Sequence, residues 1–254
     1  MRIDNLSFSY GNQEILKSVT AQIKIGKITT ILGPNGCGKS TLFSLMTKNL
    51  HPDKGSIFLG NKNIEDIKLK DFAKKVAIVH QYNSSPDDIA IKNLVSYGRT
   101  PYLQFYKSRT DEDDEIIQWA METTNVLKFK DKTISSISGG ERQRVWLAMA
   151  LAQKTDILFL DEPTTYLDVR YQIEILDLIK ELNRKLGITI VMILHDINQA
   201  VCYSDEVIGL KDGKVYIKGR TNDVINSENL YQIFNIKLKV IDEEDKKYVL
   251  NVLD

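Results

Sequence analysis

The chain opens with apolar and polar positions in alternation. "RIDNLSFSY" at Arg2–Tyr10 and "SVTAQIKI" at Ser18–Ile25 have period two, broken by "GNQE" and "GK". That period predicts half-buried antiparallel strands. Four later runs have a different character: "KITTIL" (Lys27–Leu32), "KVAIVH" (Lys75–His80), "DILFLD" (Asp156–Asp161) and "ITIVMILH" (Ile188–His195). The last three are apolar nearly throughout, as strands covered on both faces of a parallel sheet should be, whereas the first runs straight into Gly33. The last three end on a polar residue, at the carboxyl edge where ligands gather in such sheets.

Between His80 and Thr155 the pattern turns helical. "TDEDDEIIQWAMETTNVLKF" begins with Thr110 and Asp113 in capping-box spacing, with acids in its first turn that favour the helix dipole. "GGERQRVWLAMALAQK" predicts a second helix opening at a glycine pair, and "KSTLFSLMTKNL" a third after Gly38. The segment 84–154 thus reads as a helical lobe inserted into an α/β core of about 1–83 and 155–254. The end, "KVYIKGR" followed by "IKLKVIDEEDKKYVLNVL", predicts short strands with one hairpin around "DEEDKK". Neither internal repeats nor low-complexity tracts occur.

Composition narrows the classes. At 254 residues the chain is one large domain, or a core with a smaller lobe, and needs no staples to bury a core. Its 34 basic residues balance 34 acidic ones, which argues against a duplex nucleic acid held mainly through its phosphates. Two cysteines, Cys37 and Cys202, build no disulfide framework and point to a reducing compartment. "MRIDNLSFSY" lacks the apolar stretch of a signal peptide, and no run approaches the roughly 18 apolar residues of a membrane span. The expectation is a soluble chain whose membrane contact, if any, goes through a partner.

The chemistry is concentrated at strand ends. "GPNGCGKST" (Gly33, Pro34, Asn35, Gly36, Cys37, Gly38, Lys39, Ser40, Thr41) fits G-x-x-x-x-G-K-[ST] between a predicted strand and a predicted helix. Its glycines let successive N–H groups face phosphate oxygens, and the helix start adds about half a positive charge. Lys39 is expected to reach the β and γ phosphates, and Ser40 to hold Mg²⁺. "DILFLDEP" adds Asp161 as a Mg²⁺ ligand and Glu162 as a base facing the attacking water. His195 ends a predicted core strand, where a neutral imidazole can bond the γ phosphate or the water. Gln81 follows "KVAIVH", offering an amide oxygen to a metal or water; standing alone, a glutamine there is usually just solvated. "SISGGERQ" (Ser136–Gln143) is a second, incomplete phosphate-binding turn with no lysine of its own.

Taken together, these segments resemble the ATP-binding subunits of ABC transporters. The matching motifs are "GPNGCGKST" (Walker A), Gln81 (Q-loop), "SGGERQ" (signature), "ILFLDEP" (Walker B), "TYLD" at Thr165–Asp168 (D-loop) and His195 (H-switch). The resemblance covers essentially the whole chain. It implies a P-loop NTPase core of the RecA-like type with a mainly parallel sheet, an N-terminal antiparallel β subdomain and the inserted helical lobe. It also implies ATP and Mg²⁺ as cofactors, with Tyr10 stacking on adenine, Ser40, Gln81 and Asp161 at the metal, and Lys39, Glu162 and His195 in catalysis. Two copies would associate head to tail, so that Ser138, Gly139, Gly140 and Glu141, with Asp168 nearby, complete the site of the facing copy. The incomplete turn is then half a site, and the lysine comes from the partner.

"VSYGRTPY", "DEPTTYLD", "HDINQA" and the cysteine of the phosphate loop resemble, more narrowly, the subgroup serving iron–siderophore, haem and vitamin B12 importers. Partners implied are permease subunits, seated over Gln81–Tyr102, and indirectly a substrate-binding protein, with the chain peripheral at the cytoplasmic face of the membrane and not on nucleic acid. "ISGGE" departs from the commonest signature at Ile137 and Glu141 but keeps the serine and glycines. Rival readings are a soluble ABC-type ATPase acting on nucleic acid or ribosomes, an importer of another metal or small solute, and a small-molecule P-loop kinase, in which "SGGERQ" would have no task.

Overall fold

A computed structural model describes residues 1–103, 109–243 and 246–251. In chain order its elements are β1 (Arg2–Tyr10), β2 (Gln13–Gln22), β3 (Ile28–Leu32), α1 (Lys39–Met46), β4 (Lys54–Leu59), β5 (Lys62–Asn63) and α2 (Leu69–Ala73). There follow β6 (Val76–Val79), α3 (Ile91–Ser96), α4 (Asp111–Thr123), α5 (Gly139–Ala152), β7 (Ile157–Asp161), α6 (Val169–Leu186) and β8 (Thr189–Ile193). The chain ends with α7 (Ile197–Tyr203), β9 (Glu206–Lys211), β10 (Lys214–Arg220), α8 (Thr221–Val224), α9 (Ser227–Phe234), β11 (Leu238–Glu243) and β12 (Lys246–Asn251). They fall into two compact units, Met1–Ile67 with Thr189–Asp254, and Lys68–Ile188.

In the first unit, β2-β1-β4-β5 form an antiparallel sheet. The alternation expected for β1 is broken once. Asn5, at φ 47, sits at a bulge, so the buried residues are Ile3, Leu6 and Phe8 rather than every second position. The same unit carries β3 flanked by β8 and β9, both parallel to it, with β10 antiparallel to β9. Every residue of β3 and of β8 is buried, which is why neither run alternates. The expected terminal hairpin is present as β11 paired with β12 from Leu238↔Asn251 to Glu243↔Lys246; positions 244–245 of "DEEDKK" and 252–254 lie outside the described residues.

The second unit pairs β6 with β7 in parallel, Val79 opposite Leu160. Between these strands in sequence stand α3, α4 and α5. Capping boxes start two of them: Thr110 with Asp113 on α4, and Ser138 with Glu141 on α5. A buried ion pair ties α4 to the stretch after α3. Arg99 donates to the Asp113 carboxylate at 2.8 Å and to the Ala152 carbonyl at 2.9 Å. The amphipathic helix α6 buries Ile175, Leu176, Leu178, Ile179 and Leu182. The architecture is the expected one: an α/β P-loop core with parallel strands, an antiparallel N-terminal β subdomain, and helices intervening between β6 and β7. Among the described residues no helix is long and apolar enough to cross a membrane.

Candidate nucleotide-binding site

Strand β3 runs directly into Gly33, and α1 begins at Lys39. At Gly33, φ is 151 and a Cβ would lie 2.3 Å from the Leu210 carbonyl oxygen and 2.7 Å from Cys37 Sγ, so only glycine fits. Lys39 is buried beneath the loop, donating from Nζ to the carbonyls of Gly33 at 2.8 Å and Pro34 at 3.1 Å. Cys37 is buried too; burial pushes its thiol above the ordinary range, against the pull of the Lys39 charge and of hydrogen bonds from backbone N–H groups. Asn35, Gly36 and Ser40 are exposed, and Pro34 half-buried. Thr41 and Gly38 turn inward.

The parallel pairing of Ile31 with Ile193 brings the ends of β3 and β8 level, so that exposed His195 leaves the sheet beside the start of the phosphate loop. Next to it Asp196 caps α7, accepting from the Gln199 N–H at 2.9 Å. Tyr10, at the end of β1, is 54% exposed and meets Phe8 edge-on at 4.9 Å between centroids, leaving a ring face for a planar ligand.

In the second unit the same device operates on β6 and β7. Their register delivers Gln81 and Glu162 to one edge, where Gln81 donates from Nε2 to Glu162 Oε2 at 2.6 Å. Thr165 donates its hydroxyl to the same oxygen at 3.0 Å. Because a carboxylate accepts only from the NH₂ end, the amide oxygen of Gln81 remains the atom able to meet a metal. Glu162 holds φ 49, a left-handed conformation that costs a non-glycine residue of order 1 kcal/mol and recurs at functional sites. Asp161 is the last residue of β7 and half-buried.

Ser138 and Glu141 form a reciprocal cap. The Ser138 N–H and hydroxyl donate to Glu141 Oε2 at 2.8 and 2.9 Å, and the Glu141 N–H returns to Ser138 Oγ at 3.3 Å. These bonds, backbone first, hold the Glu141 carboxyl below its usual range, with Lys128 and Lys132 assisting. Glutamate at this position is therefore a capping residue, a role glutamine fills equally. At Gly140 a Cβ would stand 2.5 Å from Tyr171 Cδ1, so α5 starts flat against the ring of α6. Gly139 is exposed, and a Cβ there would meet only Leu167 at 3.8 Å. Asp168 caps α6, accepting from the Tyr171 N–H at 3.1 Å.

The donor set fits a nucleotide polyphosphate: a cradle closed to any Cβ at Gly33, a buried ammonium beneath it, and the first turn of α1. Ser40 in the first unit, and Asp161 and Gln81 in the second, each carry an oxygen donor, the ligand type that Mg²⁺ takes. Among the described residues no group of three or more histidine, cysteine, aspartate or glutamate side chains clusters to hold a metal. Residue-by-residue reading passed over Thr165, Tyr171 and Tyr82 as individual contributors. Tyr82, directly after Gln81, bonds the hydroxyl of Tyr166 at 2.6 Å. Tyr82 and Tyr166 stand 84 positions apart, on the loops that follow β6 and β7.

Comparison with known proteins agrees with this geometry. The family model described as ABC transporter matches residues 16–165. The chain is 42% identical over 238 residues to the iron(3+)-hydroxamate import ATP-binding protein FhuC of Bacillus subtilis, covering 94% of this chain and 88% of that one. It is 37% identical over 243 residues to the ferric enterobactin transport ATP-binding protein FepC of Escherichia coli, covering 96% and 90%. Among solved structures it resembles the dimeric ATP-binding cassette MJ0796 bound to ADP and Pi, with a TM-score of 0.73 at 27% identity, covering 87% and 98%. On these matches and the loop geometry together, the chain belongs to the ABC transporter family.

Proposed function

We propose that this chain is the ATP-binding and ATP-hydrolysing subunit of an importer that takes an iron–siderophore complex into the cell. Two copies work head to tail beneath permease subunits at the cytoplasmic face of the membrane, the helical lobe of about 84–154 facing the permease. Each nucleotide lies between the Lys39 loop of one copy and the Ser138–Glu141 turn of the other. The observation that carries this reading is that turn: an exposed helix start, already capped, with no lysine within it. It is built as half of a phosphate site.

Bound Mg-ATP supplies the phosphoanhydride bond and the charge neutralisation that its transfer to water requires. Lys39 and the loop N–H groups would hold the phosphates, and Ser40, Asp161 and the Gln81 carbonyl oxygen would be the ligands for the metal. Tyr10 stacks on the base. Glu162 takes the proton of the attacking water, and the His195 imidazole orients the γ phosphate. Ser138, Gly139 and Gly140 bind the γ phosphate only in the closed pair, so ATP favours closure and hydrolysis releases it. The cargo rests on the relatives, named for ferric hydroxamate and ferric enterobactin import.

The test is uptake of radioactive iron, as ferric hydroxamate and as ferric catecholate, in cells with the gene intact, deleted, or replaced by the Glu162→Gln form. Accumulation of at least one chelate only with the intact gene is expected. Undiminished uptake of both after deletion would refute the cargo.

A further inference from the structure

The phosphate loop and the capped turn account for most polar residues at the strand ends, but not for two tyrosines. Tyr82 is 71% exposed and Tyr166 78% exposed, yet their hydroxyls meet at 2.6 Å and their rings lie 5.9 Å apart, inclined at 43°. Tyr166 holds φ 64, a conformation unfavourable for a bulky residue. Each tyrosine directly follows a residue bound to the Glu162 carboxylate: Tyr82 follows Gln81, and Tyr166 follows Thr165. The loop after β6 and the loop after β7 are thus joined by consecutive rungs, with Glu162 inside the ladder.

Both Gln81 and Thr165 donate to one oxygen, Oε2 of Glu162. A carboxylate oxygen bearing two donors has its lone pairs occupied, and a water to be deprotonated needs one of them. We infer that Tyr82 and Tyr166 are positioning residues: their hydroxyl bridge holds Gln81 and Thr165 on Oε2 of Glu162 and so keeps that oxygen, one of the two in the carboxylate, from accepting a water until the arrangement is broken. This rests on the reading of Glu162 as the base. The bridge is solvent-exposed, so its contribution is that of one surface hydrogen bond, enough to bias the capped arrangement without locking it.

The experiment compares basal ATP hydrolysis by the full-length protein, unaltered and as Tyr82→Phe, Tyr166→Phe and the double variant. Phenylalanine keeps the rings and removes only the bridge. Each single variant should raise kcat about two- to tenfold with KM for ATP unchanged, and the double variant should match the singles. A purely structural role would lower the melting temperature without moving kcat alone. Unchanged kcat in both single variants, or additive effects in the double one, would overturn the inference. Glu162→Gln is the control for the underlying reading. If it turns over normally, the base assignment fails; if it is inactive while the tyrosine variants behave as unaltered protein, only the bridge fails.

Discussion

Gln81 and Glu162 stand 81 positions apart in the chain, yet the amide Nε2 of one lies 2.6 Å from the carboxylate of the other. The contact exists because β6 and β7 run parallel with Val79 opposite Leu160. In Glu162→Gln the new amide oxygen still accepts from Gln81, so the edge keeps its structure while losing its base. ATP affinity should be retained and turnover should fall about 10²–10⁴-fold, measured as phosphate release against nucleotide binding. Phosphate release at the unaltered rate would remove Glu162 from its role.

Gly140 carries no side chain because Tyr171 stands in its place. Gly140→Ala should cost about 1–3 kcal/mol in thermal unfolding, since the new methyl has to displace a ring packed at 2.5 Å. Shrinking the obstacle with Tyr171→Ala should recover part of that loss. If Gly140→Ala melts with unaltered protein, the two helix starts are not packed as described.

Cys37 and Cys202 make an internal comparison of thiol access. Cys37 is buried with its thiol raised, whereas Cys202 is exposed. Iodoacetamide near neutral pH should label Cys202 first, and labelling of Cys37 should accelerate as pH rises toward its ionisation. Mass spectrometry of peptides from the timed reaction gives the order. Faster modification of Cys37 at neutral pH would contradict the burial.

The Arg99–Asp113 pair gives a pH dependence. Burial pushes the Asp113 carboxyl up, but the Thr110 N–H, the Arg99 guanidinium and the Thr110 hydroxyl outweigh it and hold it below the usual carboxylate range. A depressed folded value contributes stability above the unfolded value of about 3.9, and that contribution is lost as pH falls through the folded one. Asp113→Asn should destabilise by about 3–5 kcal/mol at neutral pH by leaving Arg99 buried without its counter-charge, and the gap to unaltered protein should narrow in acid. Thermal melts at pH 7 and pH 3 measure it.

Much of this was legible before any coordinates. Apolar runs without alternation announced β6, β7 and β8, because a strand covered on both faces has no reason to alternate, and the glycine loop that follows announced β3. The capping box at Thr110 and Asp113 was readable because it is local, three residues wide. What escaped depends on distance or on a single backbone angle. The bulge at Asn5 shifts the buried face of β1, and its trace in the sequence is one extra polar residue between Ile3 and Leu6. The longest helix, α6, drew no expectation of its own, although Ile175, Leu178, Ile179 and Leu182 recur at helical spacing. The Tyr82–Tyr166 bond and the Gly140–Tyr171 contact need strand pairing and helix packing to be known first.

The central claim is that each nucleotide is held by two chains, and Gly139 offers the cleanest way to test it. Its position tolerates a side chain within its own fold, and a glutamate in the first turn of α5 suits the helix dipole. The measurement is analytical ultracentrifugation of the Glu162→Gln protein with ATP, alone and carrying Gly139→Glu as a second change. The account predicts an ATP-dependent dimer from the first protein, and from the second a folded monomer that still binds ATP. Protein that stays monomeric at saturating ATP in the first case, or a dimer undisturbed by Gly139→Glu in the second, would contradict it.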